Sequence, residues 1–271
     1  MLSDKSVSFA SLHAGPGFVI PNPWDVGSAR LLQALGYEAL ATTSAGFAWS
    51  LGRLDGEVTR GEKLAHCRAI VEAVDIPVSA DLENGFGHKP EEAAEMIVLA
   101  SETGLAGGSI EDYSGNPDDP IYSLDHAVER IQAVVEAIRG LPTPFVLTAR
   151  AENLLHGRMD LDDTIRRLQA FEAAGADVLY APGLKTLDDV RLVTGSLSKP
   201  VNVLGPMVAG ASVDDLFDAG ARRISLGGAL ARAALGGMLD AAVQLRQNGG
   251  FGWLAGAAPG ARIAALLQRW H

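Results

Sequence analysis

The chain has 271 residues, of which 48% are hydrophobic and 20% are charged, and its formal net charge is −11. The high apolar content excludes an intrinsically disordered protein, and the acidic balance without any clustered basic run argues against a nucleic-acid partner. A single Cys67 excludes an internal disulfide and fits a reducing compartment. No apolar run is long enough to span a bilayer, and the N-terminus lacks a signal-peptide pattern. We therefore expect a cytoplasmic protein with no membrane partner.

Short apolar segments alternate with longer amphipathic segments along the chain. The apolar segments predict eight strands, at Phe18–Ile20, Ala39–Thr43, Val78–Ala80, Gly108–Ile110, Phe145–Ala149, Val178–Tyr180, Val201–Leu204 and Arg223–Leu226. The amphipathic segments predict helices at Val26–Leu35, Arg60–Val74, Pro90–Thr103, Leu124–Arg139, Leu161–Ala174, Thr186–Thr194 and Val213–Ala219. This alternation is typical of parallel βαβ units. Eight units in a chain of this length predict an α/β fold, a (β/α)8 TIM-type barrel, with an open doubly wound sheet as the alternative.

The chain continues beyond the eighth strand for longer than a plain barrel requires. Two further helical patterns occupy Ala229–Leu245 and Ala255–Trp270. A terminal helix that reaches a neighbouring subunit would explain the surplus, and a helix packed on its own barrel is the alternative. We expect one barrel domain over residues 1–271, in which 229–271 form a C-terminal helical segment.

Acidic residues are concentrated after the third and fourth predicted strands, where the active site of such a barrel lies. Asp81 and Glu83 are two residues apart and share one face of an extended segment, and Glu111 follows the next strand. Converging carboxylates repel one another unless a cation lies among them, and hard oxygen ligands suit Mg²⁺ or Mn²⁺. The pattern predicts a metal site at these three residues, with helix caps or exposed loop acids as the alternative.

Arg150 ends the fifth predicted strand, which is otherwise uniformly apolar. A guanidinium there could bind a substrate carboxylate through two parallel hydrogen bonds. A structural salt bridge to Glu152 or Glu111 is the alternative. A Schiff-base aldolase would instead need a lysine near the end of a strand, and Lys185 follows the sixth strand.

The chain resembles the isocitrate lyase/phosphoenolpyruvate mutase superfamily over residues 17–270. The matching segments are NPWDVGSARLLQALGYEAL, TTSAG, LGRLDGE, DLENGFG, GGSIED, TARAENLLHGR and EAAGADVLY, in this order. The resemblance implies a barrel whose eighth helix swaps between the subunits of a homo-oligomer, a dimer or a tetramer. It also implies Mg²⁺-assisted cleavage of a C–C or P–C bond beside a 2-oxo or 2-hydroxy carboxylate, through a metal-stabilised enolate.

The resemblance assigns roles to individual residues. Implied to bind substrate are Trp24, Thr43, Ser44, Ala45, Gly46, Arg150 and Asn202. Implied to be catalytic are Asp55, Glu111 and Arg150. Implied to hold the metal are Asp81, Glu83 and Glu111, where Glu83 replaces the second aspartate of the family's D-x-D pair.

The loop at 113–122 departs from the family pattern. It contains no Cys where the family's lyases carry K-[KR]-C-G-H, which argues against isocitrate and methylisocitrate lyase activity. It contains Asn116 but no Lys, which argues against phosphonate chemistry, and Pro182 stands where His or Glu often follows the sixth strand. The loop is rich in Gly, Pro and Asp, and we expect it to act as a lid. A 2-oxo acid-binding protein without turnover is the alternative from another functional class.

Overall fold

The computed structural model describes residues 2–270 and contains eight parallel strands. They are β1 (Phe18–Ile20), β2 (Leu40–Ala41), β3 (Val78–Asp81), β4 (Gly107–Glu111), β5 (Val146–Arg150), β6 (Val178–Tyr180), β7 (Val201–Leu204) and β8 (Arg223–Ser225). The sheet order is β1-β8-β7-β6-β5-β4-β3-β2, so that from β2 to β8 each strand pairs with the next in sequence, and β1 pairs with β8. The remaining gap between β1 and β2 is bridged by the Ala41 amide, which donates to the Pro21 carbonyl at 3.1 Å. The predicted (β/α)8 barrel is confirmed, and the open doubly wound alternative is excluded.

Helices follow the strands and cover the outside of the barrel. They are α1 (Leu2–Ala14), α2 (Val26–Ala34), α3 (Ser44–Ser50), α4 (Arg60–Ala73), α5 (Pro90–Ser101), α6 (Leu124–Arg139), α7 (Leu161–Ala174), α8 (Leu187–Gly195), α9 (Val213–Asp218), α10 (Ala229–Asn248) and α11 (Gly260–Leu267). Most begin at a residue whose side chain accepts a backbone N–H of the first turn, as Thr59 does for α4. Within residues 2–270, no helix combines the length and the apolar composition needed to cross a membrane.

Helices α1 and α3 have no counterpart in the predicted elements. Helix α1 precedes the first strand and closes one end of the barrel, where Phe9 is fully buried against Phe18 and Val146. Its polar sequence lacks a clear apolar stripe, so tertiary packing decides its structure. Helix α3 begins directly after β2, where the sequence suggested a longer strand and a turn. The Thr43 side chain caps it by accepting the Gly46 amide at 3.3 Å, which ends the strand early.

The C-terminal segment has little contact with the barrel along α10, in which Ala231 is the one buried residue. Helix α11 returns to α2 of the same chain. Just beyond α11, Arg269 Nη2 lies 2.8 Å from Oδ2 of Asp75, which follows α4. The predicted helix Ala255–Trp270 is shorter than expected because Pro259 interrupts it, and α11 starts at Gly260. Exchange of this segment between subunits remains a prediction.

Candidate active site

The carboxyl ends of β3, β4 and β5 bring the predicted acidic residues and the predicted arginine together. Asp81, Glu111 and Arg150 are each the last residue of a strand. The register pairs Glu111 with Arg150, and it pairs Arg150 with Tyr180 of β6. Parallel strands in register therefore place these side chains at one rim of the barrel, although they are far apart in sequence.

Arg150 is the centre of the cluster. Its Nη1 donates to Asp81 Oδ1 at 3.1 Å, its Nε donates to Glu152 Oε1 at 2.8 Å, and its Nη2 lies 3.4 Å from Glu111 Oε2. The side chain is 12% exposed, and its guanidinium carbon lies 5.0 Å from the centroid of the Tyr180 ring. Burial alone would lower the pKa of Arg150, but the three carboxylates hold it well above its ordinary value. The arginine is thus permanently charged and held in one orientation.

Two cavities meet above this cluster. The deeper one, about 210 Å³, is lined by Thr43, Asp81, Arg150, Asn202 and residues of the barrel interior. The outer one, about 550 Å³, is lined by Glu83, Glu111, Glu152 and the loop after β4. Ser44, Asp55 and Arg150 line both, so the two form one site that opens at the rim.

The N-terminus of α3 forms one wall of the site. Thr43, Ser44 and Ala45 line the deeper cavity, and the Ser44 amide lies 3.5 Å from Asp81 Oδ2. Gly46 is required by close packing, because a Cβ there would lie 2.6 Å from Thr43 Cγ2 and 3.0 Å from Trp24 Cβ. Trp24 therefore supports α3 from behind and does not line either cavity.

The loop after α3 brings Asp55 to the site. Burial and the charge of Asp81 raise the pKa of Asp55, and a hydrogen bond from the Ser44 side chain acts in the opposite direction. Burial also raises the pKa of Glu111 well above its ordinary value, and Glu152 and Asp81 add to the effect against Arg150. Both carboxyls are therefore easier to protonate than a fully solvated acid.

Lys63 of α4 is a site residue that sequence reasoning missed. It is fully buried, and its Nζ lies 3.0 Å from Glu83 Oε1 without the alignment of a hydrogen bond. Burial would lower the pKa of Lys63, but Asp81 and Glu83 raise it above the ordinary value. The available signal was its position in the buried stripe of α4, which continues through His66, Cys67 and Ile70.

Glu152 is a second site residue that sequence reasoning assigned only as a possible partner of Arg150. Its amide donates to Asp112 Oδ1 at 2.8 Å, and Asp112 Oδ2 lies 3.1 Å from Arg167 Nη1 of α7. Burial raises the pKa of Asp112 to about 7, against the pull of that amide and of Arg167. This buried network fixes the start of the loop after β5 and with it the carboxylate that contacts Arg150.

The whole barrel, from β1 to β8, lies within the part of the chain that matches a known family. The sequence pattern of the phosphoenolpyruvate phosphomutase family matches residues 9–246. The chain belongs to this family. The superfamily membership expected from the sequence motifs is therefore confirmed.

Two solved structures and one enzyme illustrate the similarity of this family member to others. A solved structure from Burkholderia cenocepacia J2315, described only as a lyase or mutase, is 53% identical in sequence. Its TM-score is 0.94, and the match covers 99% of this chain and 96% of that one. The 2-methylisocitrate lyase of Escherichia coli K12 is 32% identical over 182 residues, which are 64% of this chain and 60% of that enzyme. A phosphonopyruvate hydrolase solved with oxalate and Mg²⁺ shares the fold, with a TM-score of 0.86 at 22% identity, over 98% of this chain and 95% of that one.

The remaining predicted residues of this family member lie in different places. Asn202 lines the deeper cavity, but both ends of its amide are engaged, with Arg223 Nε at 2.8 Å and Ser225 Oγ at 2.9 Å. Lys185, which a Schiff-base aldolase would use, is exposed in the loop before α8 and lines neither cavity. The loop after β4 folds back on itself through a bridge between Tyr113 and Ile121 and stacks the Tyr113 ring on His156 at 3.9 Å.

The donor set of the site suits a hard divalent cation held partly through water. Six carboxylates line the two cavities: Asp55, Glu57, Asp81, Glu83, Glu111 and Glu152. The two cations that contact them, Lys63 and Arg150, leave the cluster with an excess of negative charge. Among the described residues, no three side chains of the types that bind metals converge on one point, so direct ligation by all of Asp81, Glu83 and Glu111 is not built in. The excess charge fits an ion such as Mg²⁺ that retains several waters.

Proposed function

We propose that this chain is a divalent-cation-dependent enzyme that breaks a C–C or P–C bond beside the carboxylate of a small 2-oxo or 2-hydroxy acid. Its superfamily consists of lyases, hydrolases and mutases acting on such acids, and the chain is an enzyme of this type. The observation that supports the proposal is the negatively charged rim around Arg150, where Asp81 and Glu111 flank a guanidinium that opens on a cavity.

The proposed cation is Mg²⁺ or Mn²⁺, held by Asp81, Glu83 and Glu111, in part through water. Glu83 supports this placement, since it lines the outer cavity together with Glu111. When bound, the cation supplies Lewis-acid stabilisation of negative charge on the substrate oxygens, as in an enolate.

The chain's own residues bind and orient the acid. Thr43, Ser44 and Ala45 line the cavity at the N-terminus of α3, the positive end of a helix, where a carboxylate is stabilised. Arg150 Nη1 carries two hydrogens, one of which is donated to Asp81, so the other can be donated to the substrate carboxylate. Asp55 lies beside Ser44 at the junction of the two cavities and is placed to hold or accept a proton from the substrate.

The loop at 113–122 borders the outer cavity and is proposed to exclude water during the reaction. Tyr113 and Gly115 line that cavity, and the stacking of Tyr113 on His156 joins the loop to the segment after β5. Closure of such a loop would strengthen the electrostatic interactions of the rim by removing solvent.

The test is a screen of 2-oxo and 2-hydroxy acids, including phosphonopyruvate, with product identification in Mg²⁺ and in EDTA. We expect turnover in Mg²⁺ that chelator abolishes, and loss of turnover in Asp81→Asn with retained fold. Asp214→Asn, a change at an exposed position of α9, is the control for a general charge effect. Full activity in excess chelator would overturn the proposal, and binding without any product would favour a 2-oxo acid-binding protein.

We also propose that the protein acts as a homo-oligomer, a dimer or a tetramer, in the cytoplasm. Helix α10 carries exposed large apolar residues, namely Met238, Leu239, Val243 and Leu245. A second copy that covers them would remove this apolar area from water. Cys67 is free and fully buried, which supports a reducing compartment.

A further inference from the structure

The deeper cavity ends on a polar layer inside the barrel. Barrels of this class usually fill their interior with branched apolar side chains. Here the cavity extends below the rim to polar residues of four strands: Ser79, Ser109, Asn202, Arg223 and Ser225. The floor of the site is therefore able to bind a polar or charged group.

Arg223 is the charged residue of that floor. It is 5% exposed, and its three nitrogens contact neutral groups. Nε donates to Asn202 Oδ1 at 2.8 Å, Nη2 donates to Thr148 Oγ1 at 2.9 Å, and Nη1 lies 3.2 Å from His13 Nε2.

His13 contributes no charge to this layer. Its Nδ1 lies 2.8 Å from the Phe9 carbonyl, so Nδ1 carries the hydrogen and Nε2 accepts from Arg223. Burial and the neighbouring Arg223 lower the pKa of His13 to about 3, which keeps the ring neutral.

Arg223 lacks the carboxylate partners that Arg150 has. Three carboxylates surround Arg150, whereas no ion pair joins Arg223 to a carboxylate in the described part of the chain. Burial lowers the pKa of Arg223 to about 10, and the group still remains charged at neutral pH. A buried cation without a counter-charge is unfavourable in the free protein. An anion that enters the cavity would supply the missing charge.

The negative charge of the rim makes the positive charge of Arg223 important for a substrate with two carboxylates. The six carboxylates that line the two cavities outnumber Lys63 and Arg150, so the rim repels a substrate with two negative charges. A divalent cation at the rim offsets part of this repulsion. Arg223 is then a positive charge lining the cavity that no protein carboxylate cancels.

We propose that Arg223 binds a second carboxylate of the substrate and makes the enzyme selective for di-acids over mono-acids. This inference rests on the proposed function, because it assumes that one carboxylate is held at the rim by the α3 amides and Arg150. The second carboxylate extends toward the floor and replaces solvent around the guanidinium. Asn202 acts as a positioning residue because its Oδ1 holds Nε, and the η nitrogens keep hydrogens available for the carboxylate.

The test uses malate and lactate, 2-hydroxy acids that differ by one carboxylate and do not decarboxylate spontaneously. Dissociation constants are measured by titration calorimetry in Mg²⁺ at constant ionic strength. The variants are Arg223→Met, which removes the charge, and Thr148→Val, which removes one hydrogen bond of the same guanidinium and keeps its charge. We expect wild-type protein to bind malate at least tenfold more tightly than lactate. Arg223→Met should abolish this preference with lactate affinity nearly unchanged, and Thr148→Val should retain most of it.

Two results would overturn the inference. The first is equal affinity of the wild-type protein for malate and lactate, which overturns the inference before any variant is made. A folded Arg223→Met protein that keeps the malate preference shows that the guanidinium only joins α1 to the barrel. If Arg223→Met does not fold, Arg223→Gln takes its place, because the glutamine amide can still donate to Asn202 Oδ1.

Failure of this inference is distinguishable from failure of the proposed function. Metal-dependent turnover of a mono-acid with no malate preference would leave the proposed function intact and reject the role of Arg223. A malate preference that depends on Arg223, without turnover of any acid, would support the role of Arg223 and reject the proposed function.

Discussion

Replacing Arg150 by lysine tests whether the guanidinium clamps substrate or only holds the rim together. The substitution keeps the charge but removes the planar group that contacts Asp81, Glu111 and Glu152 at once. A lysine ammonium has a single nitrogen and cannot reach all three carboxylates. Because the side chain is 12% exposed, solvent replaces little of what is lost.

The magnitude follows from these contacts. Loss of one hydrogen bond between charged groups costs about 1.5–3 kcal/mol of unfolding free energy. For a chain of this size, this lowers the melting temperature by roughly 2–4 °C per kcal/mol. If Arg150 also binds the substrate carboxylate, kcat/KM falls by about tenfold to a hundredfold, which corresponds to a similar energy in the transition state.

The assay measures both quantities on the same variant. Thermal unfolding reports the structural ion pairs, and kcat/KM on the acid found in the substrate screen reports the clamp. Unchanged kcat/KM beside a lowered melting temperature would refute the clamp. An unchanged melting temperature would refute the argument that the three carboxylates depend on the guanidinium.

Three further predictions concern the wall of the site, its pH response and the C-terminal segment. Gly46→Ala should lower the free energy of unfolding by about 1–3 kcal/mol, because the new Cβ would overlap Thr43. Gly61→Ala is the control, since no atom lies within 4 Å of its new Cβ, and it should not destabilise the protein. Equal melting temperatures of the two variants would contradict the packing argument. Asp112 has a folded pKa of about 7, above its unfolded value, so its contribution to stability is present at low pH and is lost as pH rises toward 7. Asp112→Asn should therefore weaken the decline in unfolding free energy with rising pH seen by chemical denaturation, and an identical pH profile would exclude this titration. Deletion of residues 249–271 should lower the oligomeric state or the solubility, and a truncated chain that stays folded with unchanged mass in light scattering would contradict the proposed oligomer.

The predictable part of the site consists of residues at the ends of strands. Asp81, Glu111 and Arg150 could be assigned to one rim because apolar segments mark the strands and parallel strands in a barrel end on the same side. The choice between clamp and salt bridge at Arg150 could not be made from sequence. It depends on which carboxylates come within 4 Å, and those lie on different strands and loops.

The part that could not be predicted consists of residues that reach the site from elsewhere. Lys63 lies on a helix outside the barrel, and only the packing of α4 against β3 brings its ammonium to Glu83. Trp24 shows the opposite case, since it follows a strand directly and yet supports α3 from behind. Sequence position near a strand end is thus informative, but the direction of a side chain depends on the packing around it.

The amino-acid sequence by itself determined the barrel, because the alternation of apolar strands and amphipathic helices is a local pattern repeated along the chain. It also determined the acidic character of the rim and the family to which the motifs belong. Only the tertiary structure decided that a polar N-terminal segment becomes α1 and brings His13 to the floor of the cavity. It also decided that Arg150 is neutralised whereas Arg223 is not, because burial and counter-charge depend on groups far apart in sequence that meet only in the folded barrel.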